Sequence, residues 1–512
     1  MKISPSCLHD HNFQLSIFNF YKTVLKTVKI YDKIELMLIS RVNWDKNLKR
    51  EIIMEKRNSF SGSIGFVLAA AGSAVGLGNI WRFPYLAAKD GGGLFLLIYL
   101  ILALTFGFTL LVTEIAIGRK TKQGCLTAYG RINKKWSWLG PIATVVPFMI
   151  MPYYCIIGGW VLKYFFVFIT GQANASAGDA YFPDFLGNPT EMIIFNVIFL
   201  LATCAVVFRG VNKGIEALSK VLMPILLFLI IGISIYSLTI NSNGRSGMDG
   251  FMYYVVPNVA DKSVGDILSV VMDAMGQLFY SISVAMGIMV TYGSYFKDKD
   301  NMMRSVNQIE IFDTVVAFLA GVMIIPAVFV FIGPEGMSAG PGLMFQAMPK
   351  IFASMGFAGT IIGCIFFLMV LFAALTSSVS ILEALVSSMI DKTGTSRKRA
   401  TIYEGAVAMA IGVVICLGFN VLGFIKLDLP NNPGAELLTI FDYLSNNILM
   451  PVVAIGTCLL IGWVAKPKTV IDEATRNGER FGRKYLYIGM VKVVAPVLLV
   501  TLLLGSLGIL KF

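Results

Sequence analysis

A chain of 512 residues that is 56% hydrophobic and only 14% charged, with a mean hydropathy of +0.75, does not fit a soluble globule, which carries nearer a quarter of charged residues. The class is a polytopic membrane protein, and apolar runs of about 20 residues or longer without alternation select helices over a β-barrel. The net charge of +12 would suggest a nucleic-acid partner in a soluble protein, but here the basic residues sit in alternate short loops, the positive-inside signal, so no nucleic acid is expected.

Residues 1–53 differ from the rest, with nine Lys/Arg and five Asp/Glu, no long apolar core and no signal-peptide cleavage pattern. Two readings stand. One is an amphipathic helix lying on the membrane, built on Phe18, Phe20, Tyr21, Val24, Leu25 and Val28. The other is that the natural chain starts at Met54, where Met54-Glu-Lys-Arg-Asn-Ser reads as a short cytoplasmic leader.

Eleven apolar segments follow, over 62–86, 92–118, 139–170, 190–208, 213–239, 266–296, 308–333, 355–390, 400–424, 436–464 and 485–510. Loop charge tests the count. Loops 119–138, 297–305, 391–399 and 465–484 hold six, three, four and six Lys/Arg, whereas 171–189 holds none and 334–354 only Lys350. The alternation places the N-terminus in the cytoplasm and, with an odd count, the C-terminus outside, in an inner (plasma) membrane. Five of the seven cysteines, Cys155, Cys204, Cys364, Cys416 and Cys458, lie inside apolar segments without metal spacing and read as small packing residues. Both histidines, His9 and His11, precede the hydrophobic body, which disfavours a zinc site, a haem site or a His-based dyad. No soluble domain is present to bind a cofactor, so the chain is not read as an enzyme. A channel is disfavoured too, since no ring of charges or filter signature occurs.

The first segment carries three glycines, an asparagine and an arginine in the eleven residues Gly72-Ser-Ala-Val-Gly-Leu-Gly-Asn-Ile-Trp-Arg82. Backbone groups left unpaired in lipid cost several kcal/mol each, so a helix loosens at mid-depth only inside protein or beside a cavity. Its freed carbonyls and amides then serve as ligands. A second interruption, Ser281-Ile-Ser-Val-Ala-Met-Gly287, falls five segments later. Paired breaks in corresponding places point to an inverted-repeat transporter with its site at the bilayer midplane. Either break alone would read as ordinary small-residue helix packing.

Charged groups inside the apolar segments are candidates for function. Arg82 and Asp442 lie at similar depth on the outer side and pair either as a gate or as a static salt bridge. Asp313 is a sodium ligand or a helix-start acid, the second role fitting Glu310 better. Glu114 reads as a scaffold acceptor for unwound backbone. In the eighth segment Ala373-Ala-Leu-Thr-Ser-Ser-Val-Ser380 sets four hydroxyls in five positions. Thr376 and Ser377 are hard neutral oxygens suited to a partly dehydrated alkali cation, unless they bond back to their own helix. Tyr153 and Tyr154 put phenols at mid-depth, where a substrate carboxylate is one partner and an aromatic belt the alternative role.

The stretch Gly72 to Pro84, the loop Arg209-Gly-Val-Asn-Lys-Gly-Ile-Glu216, Gln277-Leu-Phe-Tyr-Ser281 and Leu375-Thr-Ser-Ser378 resemble the neurotransmitter:sodium symporters, most of all bacterial amino-acid members with eleven helices. The resemblance runs from about Arg57 to the C-terminus. It implies an all-α, LeuT-type five-plus-five inverted repeat with discontinuous helices 1 and 6 plus one extra helix, and two sodium sites. By similarity the first sodium takes Ala74, Asn79, Ser281 and Asp313. The second takes Gly72, Val75, Ala373, Thr376 and Ser377. An amino acid lies against Ala74, Leu77, Gly78, Ile150, Tyr154, Tyr280, Ser283, Met286, Ser378 and Ile381. Arg82 with Asp442 resembles the outer gate, and Arg57 with Asp391 the inner gate.

Gly76 occupies the position where monoamine-carrying relatives place an aspartate, which implies a substrate that brings its own carboxylate. Asp313 resembles the acid of chloride-independent bacterial members, and since Ala317 stands where some of them have a glutamate, Asp313 acts alone. Chloride is therefore not expected to be required. Met286, with Gly78, Ala285 and Gly287 nearby, is expected to leave room for a branched or aromatic side chain. The function expected is sodium-coupled import of a hydrophobic or aromatic L-amino acid by alternating access. An amino-acid-sensing homologue of the same fold is the alternative.

Overall fold

The computed structural model describes residues 59–242, 244–259, 262–333, 343–430 and 432–510. The 1–53 extension, Met54 and Arg57 lie outside the described residues. Helix α1, Ser63–Ala74, stops as Val75 closes its last turn on the Ala71 carbonyl at 2.7 Å. The chain resumes three residues later as α2, Gly78–Lys89, whose first turn, Gly78–Arg82, is π-helical, and the two pieces are bent by 51°. Unbroken helices follow: α3 (Gly93–Thr121), α4 (Leu139–Ile169), α5 (Pro189–Phe208) and α6 (Val211–Thr239). Then comes a second interruption between α7 (Val264–Ser281) and α8 (Ile288–Ser294), and the series closes with α9 (Met302–Phe331), α10 (Gly356–Thr393), α11 (Arg397–Leu417), α12 (Leu437–Val464) and α13 (Lys484–Ser506). Among the described residues nine unbroken helices are long and apolar enough to span a membrane.

Local chemistry accounts for the second break. Helix α7 opens on a capping box, Ser263 accepting from the Asp266 amide while Asp266 accepts from the Ser263 amide. It closes at Ser281 because Ser283, Ala285 and Gly287 all take left-handed φ, of 54°, 60° and 72°. A Cβ on Gly287 would also stand 2.4 Å from the Cys125 sulfur. The pattern of apolar residues carries the ninth segment to residue 424; helix α11 instead ends at Leu417, and 418–424 are turns.

Each half holds five segments, an odd number, so the second half starts from the opposite face and the repeat is inverted. Helix α10 packs along α4, α8 along α3, and α6 and α9 lie side by side. The interrupted pairs α1–α2 and α7–α8 are enclosed by these neighbours. Ala70, Ala71, Val75 and Ile80 are fully buried, while Phe228 and Ile235 of α6 are 76% and 60% exposed on the perimeter. Small residues thus let the broken helices pack closely at the centre, while large apolar side chains also cover the perimeter, as a membrane bundle requires.

Candidate functional site

Both breaks leave backbone groups that need partners, and the flanking helices supply them. Gln277 of α7 donates to the Gly78 carbonyl at 2.9 Å, and Glu114 of α3 accepts from the Ala285 amide at 2.6 Å. Glu114 thus holds the α7–α8 break, the scaffold role read from the sequence. Ser73 donates to the Ser283 hydroxyl at 3.1 Å, and Ser283 donates to the Ser73 carbonyl at 2.9 Å, so the two breaks are stitched to each other.

One flank of the α1–α2 break is anionic. Asp313, on α9, is fully buried and accepts from Asn79 at 2.8 Å and Ser281 at 2.7 Å on Oδ1, and from the Tyr99 hydroxyl at 3.4 Å on Oδ2. Among the described residues nothing donates a hydrogen bond to Asn79 Oδ1, although the residue is 0% exposed. An unsatisfied amide oxygen beside a buried carboxylate is a costly arrangement unless a cation sits there. The donors are hard oxygens, which fit an alkali ion. Ala74, buried beside them, belongs to the same break.

The opposite flank is neutral. Ser377 of α10 reaches across to the carbonyls of Gly72 and Ser73, at 3.3 and 3.1 Å. Thr376 bonds back to Phe372 and Ala373 of its own helix, both at 3.1 Å. Thr376 thus takes the own-helix bonding the sequence left open, while Ser377 ties α10 to the end of α1. Val75 is buried in the break between them and the carbonyls of α1.

Between the flanks lies a pocket lined by Gly76, Gly78, Ile150, Tyr154, Tyr280, Ser283, Met286 and Ile381, with Ser73 and Ser377 completing it. Leu77 presents its amide to the Tyr154 hydroxyl at 3.4 Å. Ser378 requires a correction: one residue further round α10 than Ser377, it faces α5, where it bonds Thr203 at 2.8 Å. The residue that reaches the pocket is Ser377. The room expected beside Met286 is also corrected. The free volume is ≈ 20 Å³, about one water, because the Tyr280 ring fills the space over Gly78, where a Cβ would lie 2.4 Å from the ring. Tyr280 and Met286 thus leave the pocket closed in this arrangement. Gly76 is as tightly held, a Cβ there meeting Ser377 Oγ at 2.6 Å and the Tyr154 hydroxyl at 3.0 Å.

At the two ends of this axis the expected pairs are less direct. Arg82 lies against Gly276, and Asp442 accepts from Asn446 at 2.6 Å rather than from the guanidinium. Asp391 accepts from the Gly124 amide at 2.5 Å. Two turns earlier on α10, Glu383 receives a bidentate pair from Arg397 at 2.5 and 2.8 Å and a bond from Tyr295 at 2.5 Å. Sequence reasoning missed Glu383 and Tyr99, and gave no role to Ser73 and Gln277 although both stand in stretches it singled out. A buried glutamate eight residues before Asp391 was the available signal for the first.

A profile described as the sodium:neurotransmitter symporter family matches residues 57–181 and 184–511. The chain belongs to that family. This symporter is 34% identical over 465 residues to the uncharacterized sodium-dependent transporter YhdH of Bacillus subtilis (strain 168), covering 90% of the chain and 99% of the relative. It is 26% identical over 470 residues to the human sodium- and chloride-dependent GABA transporter 2, covering 81% and 74%. Its fold resembles the crystal structure of MhsT in complex with L-phenylalanine, with TM-score 0.77, 33% identity and coverage of 88% of the chain and all of that structure. The symporter is a sodium-dependent multi-pass membrane transporter of the LeuT-type inverted-repeat fold, not an enzyme.

Proposed function

We propose that this symporter carries a hydrophobic or aromatic L-amino acid into the cell with two sodium ions and without a chloride requirement. The reading rests above all on Asp313, whose buried carboxylate stands beside the orphan amide oxygen of Asn79 and supplies the negative charge that a bound anion would otherwise provide. The substrate carboxylate lies against the first sodium and the Tyr154 hydroxyl, its ammonium group against the opened carbonyls of α1 and α7. No acidic side chain is among the residues lining the pocket, which favours a zwitterion over an amine. Ile150, Met286, Tyr280 and Ile381 form an apolar wall for the side chain. A structural neighbour that binds L-phenylalanine supports the same class.

Sodium drives the cycle by preferring the substrate-competent, outward-open arrangement, since a ligand shifts an equilibrium only through differential affinity. In this scheme the basic-loop face is cytoplasmic, Arg82 and Asp442 close the outer path, and Arg57 and Asp391 the inner one. Uptake of labelled phenylalanine into proteoliposomes under an inward sodium gradient, with each proteinogenic amino acid as competitor, tests the proposal. Accumulation blocked by branched and aromatic competitors supports it. Inhibition by charged or very small amino acids alone would overturn the substrate class, and saturable binding without accumulation would select the sensing homologue.

A further inference from the structure

A second cleft lies outside the transport axis, between α3 and α9 with Phe83 of α2 at its back. It has a volume of ≈ 390 Å³ and is lined chiefly by Leu97, Tyr99, Leu100, Val315 and Phe318 together with Thr314. Its rim is open to the perimeter: Leu97, Leu100, Val315 and Phe318 are 53%, 42%, 45% and 37% exposed. Both walls are membrane-spanning helices, with Leu97 and Leu100 near the start of α3 and Val315 and Phe318 near the middle of α9. The depth and the lining decide what fills it. Water needs two to four polar partners, and the cleft offers Thr314 and a Tyr99 hydroxyl that is already on Asp313. A void of that size would forfeit dispersion contacts along every wall. Hydrocarbon is the medium that satisfies both conditions at this depth.

The floor of the cleft gives its occupant a consequence. Tyr99 is 2% exposed, its ring fixed by Phe83 edge-on at 4.8 Å and by Phe95 stacked at 6.0 Å, while its hydroxyl reaches Asp313 Oδ2 at 3.4 Å. One aromatic ring therefore separates the bilayer from the carboxylate that holds Asn79 and Ser281. A hydrogen bond of 3.4 Å is at the long limit, so a small displacement of the ring makes it or breaks it.

We propose that a phospholipid acyl chain seats in the α3–α9 cleft and, by pressing the Tyr99 ring inward, holds the Tyr99 hydroxyl on Asp313, so that lipid occupancy strengthens sodium binding. The coupling part rests on the reading of Asp313 as a sodium ligand. The full-length protein in nanodiscs containing a phosphatidylcholine with a diazirine near its acyl terminus tests the occupancy. Cross-links concentrate on residues 96–100 and 314–318 and fall at least about fivefold in Val315→Trp, whose indole projects into the cleft and obstructs the acyl chain. Labelling no denser than on the lipid-facing stretch 225–235 of α6 would overturn the site. Sodium titration before and after delipidation tests the coupling. Wild type loses at least about fivefold in sodium affinity, the lower range of allosteric coupling, whereas Val315→Trp and Tyr99→Phe respond little to lipid removal. Equal losses in all three proteins would overturn the coupling. If Asp313→Asn binds sodium as wild type does, the sodium reading and the coupling fall together, and the acyl site is then judged on the labelling alone.

Discussion

Two clusters of oxygen atoms flank the α1–α2 break, and they are built on opposite electrostatic plans. The α9 side concentrates a full negative charge, with Asn79 and Ser281 converging on Asp313 Oδ1 within 2.8 Å and an amide oxygen left over. The α10 side has no formal charge, and its hydroxyls are already engaged, Ser377 with carbonyls of α1 and Thr376 with its own helix. A buried carboxylate creates a strong demand for a counter-charge, whereas engaged hydroxyls create little. The α9 side should therefore bind its ion tightly and tolerate change poorly. The α10 side should bind weakly and release first.

The largest test of this contrast removes the charge. Asp313→Ala should raise the sodium concentration for half-maximal substrate binding by well over tenfold, more than about 1.4 kcal/mol, measured without chloride. Chloride should then restore part of the binding, since a free anion can offset the sodium charge. Unchanged sodium affinity in chloride-free buffer would remove Asp313 from the ligands and end the comparison. Against it, Ser377→Ala deletes one neutral hydroxyl and should shift the sodium requirement by about fivefold, the worth of one ordinary hydrogen bond. An effect as large as that of Asp313→Ala would mean that the two flanks are not different in kind.

Gly76→Asp tests the neutrality of the pocket between them. The new side chain must pass Ser377 Oγ and the Tyr154 hydroxyl, which stand 2.6 and 3.0 Å from its Cβ, and it adds a charge where a zwitterion is to bind. Amino-acid binding measured by scintillation proximity should fall by about a hundredfold, from overpacking together with carboxylate repulsion. Retained affinity would show that the pocket does not discriminate by charge.

How much of this was legible in the sequence follows from what each residue's role depends on. The α1–α2 break, Asn79, Ser281 and Asp313 were visible because glycines and polar groups are costly at mid-membrane depth and seldom stand there without a function. Ser378 was placed in the pocket by resemblance alone; four hydroxyls in five positions of one helix differ only by rotation, and the neighbour that claims each one, Thr203 for Ser378, is set by packing. Tyr99 was missed because an isolated tyrosine in a span signals nothing until Asp313 is brought beside it, and Gln277, though part of a recognised motif, showed no role until the Gly78 carbonyl was placed against it. The closed pocket was beyond sequence reasoning, since rotamers of Tyr280 and Met286 decide it. The size of a glycine is written in the chain; what leans over it is not.

Another buried carboxylate sharpens the contrast from outside the membrane-spanning helices. Asp90, just past α2, is 5% exposed, but in place of two donors it faces Asp273, with Lys89 3.7 Å away from it and only 2.7 Å from Asp273. Burial first, and then the charge of Asp273, push its carboxyl from 3.8 up to about 7. A folded-state value above the unfolded one means that the native state holds the proton more tightly. The stability it contributes is present below the unfolded value and is lost as pH rises through about 7. Asp90→Asn, which keeps the shape and removes the charge, should therefore melt a few degrees higher than wild type at about pH 8, the gap closing as pH falls toward the unfolded value, by intrinsic fluorescence in detergent. Melting below wild type at the higher pH would mean that the Lys89 cation outweighs Asp273.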